Sequence, residues 1–142
     1  DASGDIYIAE SDGNRIRKID ISEGSVSTVA GTGTYGHLDS TLLSSQFKRP
    51  EGVLATTSTI YIADTDNHRI VVYDLENNER LFTFTSPMQN YCDSTHTWAK
   101  DVPDCTNDMR NLPTSIEIID ERIFVAYGFQ DEIQVFDLDG NY

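Results

Sequence analysis

The sequence predicts an all-β fold built from repeated antiparallel sheets, and two observations support this prediction. A stretch of fifteen residues occurs three times without a gap, beginning at Ile6, Ile60 and Ile123, so that the offsets are 54 and 63 residues. Each copy has two short runs of β-branched and aromatic residues around a polar turn, a pattern typical of a β-hairpin. Repeated hairpins of this kind are typical of β-propeller blades, which have four strands each. We therefore predict an incomplete β-propeller of about three blades.

Two further strands complete the predicted unit, whose strands we label a to d. Pro50–Ala55 and Pro113–Ile118 precede the second and third copies, and each is predicted as a strand entered from a proline. Ser25–Val29 and Arg80–Phe84 follow the first and second copies as a fourth strand. The resulting division is 1–30 as partial blade 1 with strands b to d, 47–84 as blade 2, 85–112 as an inserted loop, and 113–142 as partial blade 3 with strands a to c.

Both outer blades are incomplete in this division, whereas closed propellers contain about 4–8 complete blades. We therefore expect the chain to be a segment of a longer polypeptide. One alternative is self-association through the open propeller edges, which would complete a ring. Another is a structural subunit of a filament or surface assembly, in which neighbours cap edges that would otherwise aggregate.

The second copy carries a resemblance to a known family. Residues 60–70, Ile-Tyr-Ile-Ala-Asp-Thr-Asp-Asn-His-Arg-Ile, resemble the hallmark of the NHL repeat. Residues 28–33 and 47–53 are similar to the linker between successive NHL blades. The resemblance implies a propeller of NHL type. The third copy departs from the pattern, because Tyr127 replaces the acidic residue and Glu132 replaces the arginine.

The polar turn of the repeat is predicted to be structural. Short Asx side chains commonly hydrogen-bond the backbone of turns, and an arginine five residues after the acidic residue is suited to pair with it. The residues concerned are Asp64, Asn67 and Arg69 in the second copy and Glu10, Asn14 and Arg15 in the first. Calcium binding is the alternative, because calcium requires several oxygen ligands. We expect no metal and no cofactor.

One rim of the propeller is the predicted binding face. Strand alternation places the turns between strands b and c at the same rim as the two long connections, 31–47 and 85–112. Loops longer than about 12–15 residues tend to be functional or disordered. The binding-face candidates are Tyr91, Trp98, His96, Asp66 and Asp12. We expect a protein or a glycan as the partner.

The second long connection contains both cysteines, Cys92 and Cys105. Its polar composition offers little apolar burial, so a crosslink would help to hold it, and closing such a loop stabilises by roughly 3 kcal/mol. A disulfide indicates an oxidising compartment and a secreted or cell-surface protein. Free thiols in a cytosolic protein are the alternative. The tract 56–59 is rich in Ser and Thr and is a candidate for O-glycosylation.

Charge and composition exclude several classes of function. With 24 acidic against 10 basic side chains, the net charge is −14, which opposes the phosphate contacts of nucleic-acid binding and adsorption to anionic membranes. No run of about 18 apolar residues predicts a membrane span.

Three histidines, His37, His68 and His96, map to the binding face. NHL-like propellers include a zinc-dependent peptide-amidating lyase, so the family resemblance makes a metal-dependent lyase an alternative function. Zinc requires three or four converging ligands, and these histidines lie in different blades without a ligand spacing. The prediction is therefore a non-catalytic, extracellular binding or assembly module.

Overall fold

The computed structural model describes residues 1, 4–86, 112–128 and 131–142. Its strands are β1 (Ile6–Glu10), β2 (Arg15–Asp20), β3 (Ser25–Ala30), β4 (Pro50–Ala55), β5 (Thr59–Asp64), β6 (Arg69–Asp74), β7 (Glu79–Phe84), β8 (Pro113–Ile119), β9 (Arg122–Tyr127) and β10 (Glu132–Phe136). They form three antiparallel sheets, which we call blade 1 (β1-β2-β3), blade 2 (β4-β5-β6-β7) and blade 3 (β8-β9-β10). This architecture confirms the predicted all-β, incomplete propeller. The exact limits of the predicted blades stay a prediction.

Blade 2 shows why the repeated stretch forms strands. Successive residues of β5 point to opposite faces of the sheet, so Ile60 and Ile62 face one side while Tyr61 and Ala63 face the other. Ile62 is paired with Val71 of β6, which lies on the same face. All five residues are buried, because blade 2 is covered on both faces.

Two apolar clusters hold the blades face to face. The cluster between blades 1 and 2 comprises Ile16, Ala30, Leu42, Phe47, Ile60, Ile62, Val71 and Tyr73. The cluster between blades 2 and 3 comprises Tyr61, Ala63, Ile70, Val72, Phe84, Ile116, Ile123, Val125, Tyr127 and Phe136. Burial of each large apolar side chain stabilises by about 1.5–3 kcal/mol. Blade 2 therefore contributes to both halves of the core.

Gly52 allows strand β4 to approach strand β8 of the next blade. A Cβ atom at Gly52 would lie 2.7 Å from the backbone oxygen of Thr114 and 3.0 Å from the Cα of Ser115. Backbone atoms cannot yield as a flexible side chain can. The absence of a side chain at this position thus sets how closely the two blades pack.

The connection 31–47, between β3 and β4, is folded into the groove between blades 1 and 2. Leu42 and Phe47 are buried there, and the Ser45 hydroxyl lies 2.6 Å from the hydroxyl of Tyr73. The Leu42 amide donates to Asn78 Oδ1 at 2.9 Å, in the turn between β6 and β7. The prediction placed the whole connection at one rim. Its middle instead reaches the opposite edge of blade 2, because Leu42 and Phe47 are buried in the groove between the blades.

Two 3₁₀ turns, Leu42–Ser44 and Thr65–Asn67, are the helical elements of the described residues. Neither has the length or the apolar composition of a membrane-spanning helix.

Candidate interaction site at the upper rim

The turn between β5 and β6 is organised around the buried carboxylate of Asp64. Its Oδ1 accepts a hydrogen bond from the Lys48 amide at 2.7 Å. Its Oδ2 accepts from Asn67 Nδ2 and from Arg69 Nε, both at 2.8 Å. The corresponding turns of blades 1 and 3 lie at the same edge of the blades, and we call this edge the upper rim.

Burial raises the pKa of Asp64, and hydrogen bonds from Asn67, Lys48 and Arg69, together with the Arg69 charge, oppose that shift. Both carboxylate oxygens are thus occupied by N–H donors, and a guanidinium lies beside them. This environment is adverse to a calcium ion, which needs free oxygen ligands. Among the described residues, no group of three or more His, Cys, Asp or Glu side chains is placed to hold a metal.

Arg69 links the turn to the connection 31–47. Its side chain is only 4% exposed, and its Nη1 donates to Asp39 Oδ1 and to His37 Nε2, both at 2.7 Å. Asn67 Nδ2 also donates to the Gly36 carbonyl at 3.0 Å. The Nη2 atom of Arg69 is buried and has no hydrogen-bond partner among the described residues. Arg69 therefore joins the connection 31–47 to the turn between β5 and β6.

Blade 1 repeats this arrangement in a more exposed form. Glu10 pairs with Arg15, and the hydrogen bond from Arg15 lowers the pKa of Glu10. Asn14 Oδ1 accepts the amide of Arg49 at 3.0 Å. Its turn is therefore also tied to the chain that leads into the next blade.

Blade 3 lacks the acid–arginine pair. Tyr127 and Glu132 occupy the positions of Asp64 and Arg69, and they are paired across β9 and β10. The Tyr127 hydroxyl is buried and has no hydrogen-bond partner within the described part of the chain. Burial raises the pKa of Tyr127.

A group of side chains lies above these turns, with Tyr35 and Arg49 exposed and Lys48 and Asp66 half-buried, and we call these four residues the rim patch. Tyr35 is 56% exposed. The Lys48 ammonium lies 5.5 Å from the centre of its ring, and its hydroxyl makes a long hydrogen bond of 3.4 Å to Asp66 Oδ2. Desolvation, followed by the charge of Asp66, raises the pKa of Tyr35, and the charge of Arg49 opposes this. These contacts fix an aromatic ring at the surface between blades 1 and 2.

Among the described residues, one of the predicted binding-face candidates belongs to the rim patch. Asp66 belongs to it, and Asp12 is exposed in the corresponding turn of blade 1. Tyr91, Trp98, His96, Cys92 and Cys105 lie outside the described residues, so the predicted disulfide and the predicted aromatic contacts stay predictions.

Sequence reasoning missed Tyr35, Lys48 and Arg49. One signal was present, since Tyr35 is the only aromatic residue of the connection before the buried Phe47. Arg49 adopts a positive φ of 46°, which no pattern in the sequence predicts.

The fold and the repeated turns define a class of protein, the β-propellers. Among solved structures, hydrazine synthase of Kuenenia stuttgartiensis matches with a TM-score of 0.56, and the match covers 93% of this chain and 29% of that chain. The sequence identity is 15%, so this likeness concerns the fold alone.

Curated relatives add sequence similarity to the common fold. NHL repeat-containing protein 2 of Homo sapiens and of Bos taurus is 35% identical over 74 residues, which are 50% of this chain and 10% of each relative. Protein SUPPRESSOR OF QUENCHING 1, chloroplastic, of Arabidopsis thaliana is 35% identical over 77 residues, 54% of this chain and 7% of that protein. No protein-family model matches the chain.

Together with the repeated turns, these similarities support an NHL-repeat propeller, as the resemblance at residues 60–70 implied. The matches extend over a tenth or less of the relatives' own length. The similarity to NHL-repeat proteins indicates a propeller module.

Proposed function

We propose that the chain is a non-catalytic interaction module that binds a protein partner through the rim patch. The observation that carries the proposal is the exposed but positioned ring of Tyr35, held by Lys48 and Asp66. Tyrosine and arginine side chains supply much of the energy of protein interfaces. A ring that is already positioned loses little conformational entropy on binding.

The contacts of Tyr35 favour a protein over a glycan. Sugars stack on an open aromatic face, whereas the Lys48 ammonium lies over the Tyr35 ring. Lys48 and Arg49 instead offer charged donors to carboxylate or carbonyl oxygens of a partner, and Asp66 offers an acceptor. Paired donors and acceptors around an aromatic residue are common at protein interfaces.

The environment of His37 supports the absence of catalysis at this residue. His37 Nε2 accepts a hydrogen bond from Arg69, so its lone pair is occupied and a positive charge lies beside it. A zinc ion would be repelled by that guanidinium. The lyase alternative is therefore disfavoured at His37, while His96 lies outside the described residues.

We also propose an extracellular or cell-surface location. The support is the pair Cys92 and Cys105 in one polar segment, which favours a disulfide and an oxidising compartment. Mass spectrometry of native protein, with and without reductant, tests this. Two thiols that alkylate without reductant would contradict it.

Photo-crosslinking tests the binding proposal. The photoreactive amino acid p-benzoyl-phenylalanine replaces Tyr35 and, as a matched control, Tyr142, an exposed tyrosine of the C-terminal segment. After incubation with an extract of the native cells or their medium, irradiation is expected to give a discrete protein adduct at position 35 only. Arg49→Glu is expected to weaken that adduct.

Adducts that are absent at position 35, or identical at both positions, would overturn the proposal. Binding of the wild-type chain to a glycan array, lost in Tyr35→Ala, would overturn the choice of a protein as the partner.

A further inference from the structure

Arg49 has a backbone conformation that an arginine rarely adopts. Its φ of 46° lies in the left-handed region, where the Cβ atom of any residue except glycine is crowded by a backbone oxygen. Pro50 follows, and a residue before proline is driven toward extended conformations. Arg49 is therefore strained, whereas a glycine would occupy the same position without this crowding.

The surrounding chain holds the strained residue through backbone contacts. The Arg49 amide donates to Asn14 Oδ1 at 3.0 Å, and Asn14 is buried. On the preceding side, the Lys48 carbonyl accepts an amide of the turn between β5 and β6 at 3.1 Å. On the following side, the Pro50 carbonyl accepts the hydroxyl of Ser11 at 2.8 Å. None of these contacts uses the arginine side chain.

The Arg49 side chain has little to bind within the protein. It is 52% exposed, and its Nη2 atom lies 3.3 Å from Glu51 Oε1. This is the only hydrogen bond or ion pair of the side chain in the described ranges. A guanidinium carries five N–H donors, and an exposed ion pair contributes little to stability. The fold therefore does not account for an arginine at this strained position.

Lys48 places a second cation beside Arg49. Its ammonium lies over the ring of Tyr35 and forms no ion pair with a carboxylate of the described residues. The chain has 24 acidic against 10 basic side chains, and most other described cations are paired. Two adjacent residues thus present cationic donors around one exposed aromatic ring, although acidic side chains are abundant elsewhere in the protein.

We propose that the rim patch binds an aspartate or glutamate side chain of its protein partner, through the guanidinium of Arg49 and the ammonium of Lys48. This inference rests on the proposed function and names the chemistry of the bound segment. A carboxylate accepts two parallel hydrogen bonds from a guanidinium, and the ring of Tyr35 provides apolar contact next to it. Strained residues held by their surroundings are concentrated at ligand-binding sites.

Selection from a phage library of random dodecapeptides tests this inference. We expect peptides selected on the wild-type chain to be enriched in aspartate and glutamate. The net charge of −14 opposes such enrichment, so it would indicate a local cationic site rather than the overall field of the protein.

Fluorescence anisotropy then compares a selected peptide, labelled with fluorescein, with the same peptide in which asparagine and glutamine replace the acidic residues. Arg49→Gly is expected to weaken binding of the acidic peptide about tenfold or more, because hydrogen bonds to a charged group are lost. It is expected to leave binding of the amide peptide unchanged. Arg122→Ala is the matched control, since Arg122 is exposed at the start of β9 and has no ion pair among the described residues.

Urea denaturation of Arg49→Gly and Arg49→Ala tests the backbone strain separately. Both changes remove the guanidinium, but only glycine relieves the left-handed conformation. We therefore expect Arg49→Gly to unfold at a higher urea concentration than Arg49→Ala. Equal midpoints would overturn the inference, because an unstrained arginine at this position needs no functional explanation.

Failure of this inference is distinguishable from failure of the rim-patch proposal. Peptides that lose binding in Tyr35→Ala, but lack acidic residues or bind Arg49→Gly as tightly as the wild type, would overturn this inference alone. An equal loss in Arg49→Gly and Arg122→Ala would also overturn it, since the effect would then be one of general charge. Peptides that bind Tyr35→Ala unchanged, or a library that yields no binder, would overturn both proposals.

Discussion

Thr65 Oγ1 donates a 2.7 Å hydrogen bond to the backbone carbonyl of Pro113, the first residue of the next blade. In blade 1, Ser11 occupies the position of Thr65, and its hydroxyl donates to the Pro50 carbonyl at 2.8 Å. The turn of one blade thus holds the first strand of the next in both interfaces. A hydroxyl residue at this position of the repeat therefore sets how successive blades are joined.

Replacing Thr65 with valine tests this link. The change keeps the shape of the side chain but leaves the Pro113 carbonyl, buried beside it, without its donor. We expect a loss of about 1–3 kcal/mol in the free energy of unfolding, measured by urea denaturation. Ser11→Ala is the control and is expected to cost less, because its hydrogen bond is only partly buried. An equal loss in both variants would contradict the assignment.

The Asp64–Arg69 pair is expected to behave as a buried ion pair. Arg69→Met leaves the Asp64 carboxylate buried without its cation, and breaking such a pair costs about 3–5 kcal/mol. Arg15→Met is the matched control, because Arg15 is 37% exposed in the equivalent pair, and exposed pairs contribute less than about 1 kcal/mol. Urea denaturation measures both changes.

A second substitution identifies the cause of that loss. Asp64→Asn removes the uncompensated charge in the Arg69→Met background and is expected to recover part of the stability. If the double variant were no more stable than Arg69→Met alone, a buried charge would not explain the loss.

The repeat made the architecture predictable, because a strand with two buried faces has the same residue requirements wherever it recurs. Ile60 and Tyr61 illustrate this, since their alternation fixed which side chains meet each neighbour. The connection 31–47 has no repeated counterpart in the described residues. Its path depends on the burial of Phe47 and on the contact of Arg69 with Asp39, which join residues distant in the sequence. The exposed position of Tyr35 follows from that path, so the sequence alone did not locate the rim patch.

Gly52→Ala is expected to force blades 2 and 3 apart. The new methyl group would meet the backbone oxygen of Thr114, and overpacking of this kind costs about 1–3 kcal/mol. Gly128→Ala is the control, since its methyl group would meet only the Thr114 side chain, at 3.2 Å, and is expected to cost less than about 0.5 kcal/mol. Thermal unfolding compares the stability of the two variants. A Gly52→Ala protein as stable as Gly128→Ala would refute the close approach of β4 to β8.

Two buried tyrosines are expected to respond oppositely to loss of the hydroxyl. Tyr73 is hydrogen-bonded to Ser45, so Tyr73→Phe should cost about 0.5–1.5 kcal/mol. The Tyr127 hydroxyl has no such partner in the described ranges, so Tyr127→Phe should be neutral or stabilising at neutral pH. Urea denaturation of both variants compares them, and a clear loss of stability in Tyr127→Phe would show that this hydroxyl is satisfied.

Alkaline pH provides an independent measurement on the same two tyrosines. Burial raises the pKa of both Tyr73 and Tyr127 above the ordinary value of 10.0. Between pH 10.0 and the raised pKa values, the folded state therefore keeps the two tyrosine protons that the unfolded chain has released. The resulting stability is complete below pH 10.0 and is lost as the pH rises toward the raised folded values. Tyr127→Phe is expected to reduce this loss of stability at alkaline pH. Urea denaturation above and below pH 10.0 measures the effect. An unchanged pH dependence would mean that Tyr127 ionises as an ordinary tyrosine.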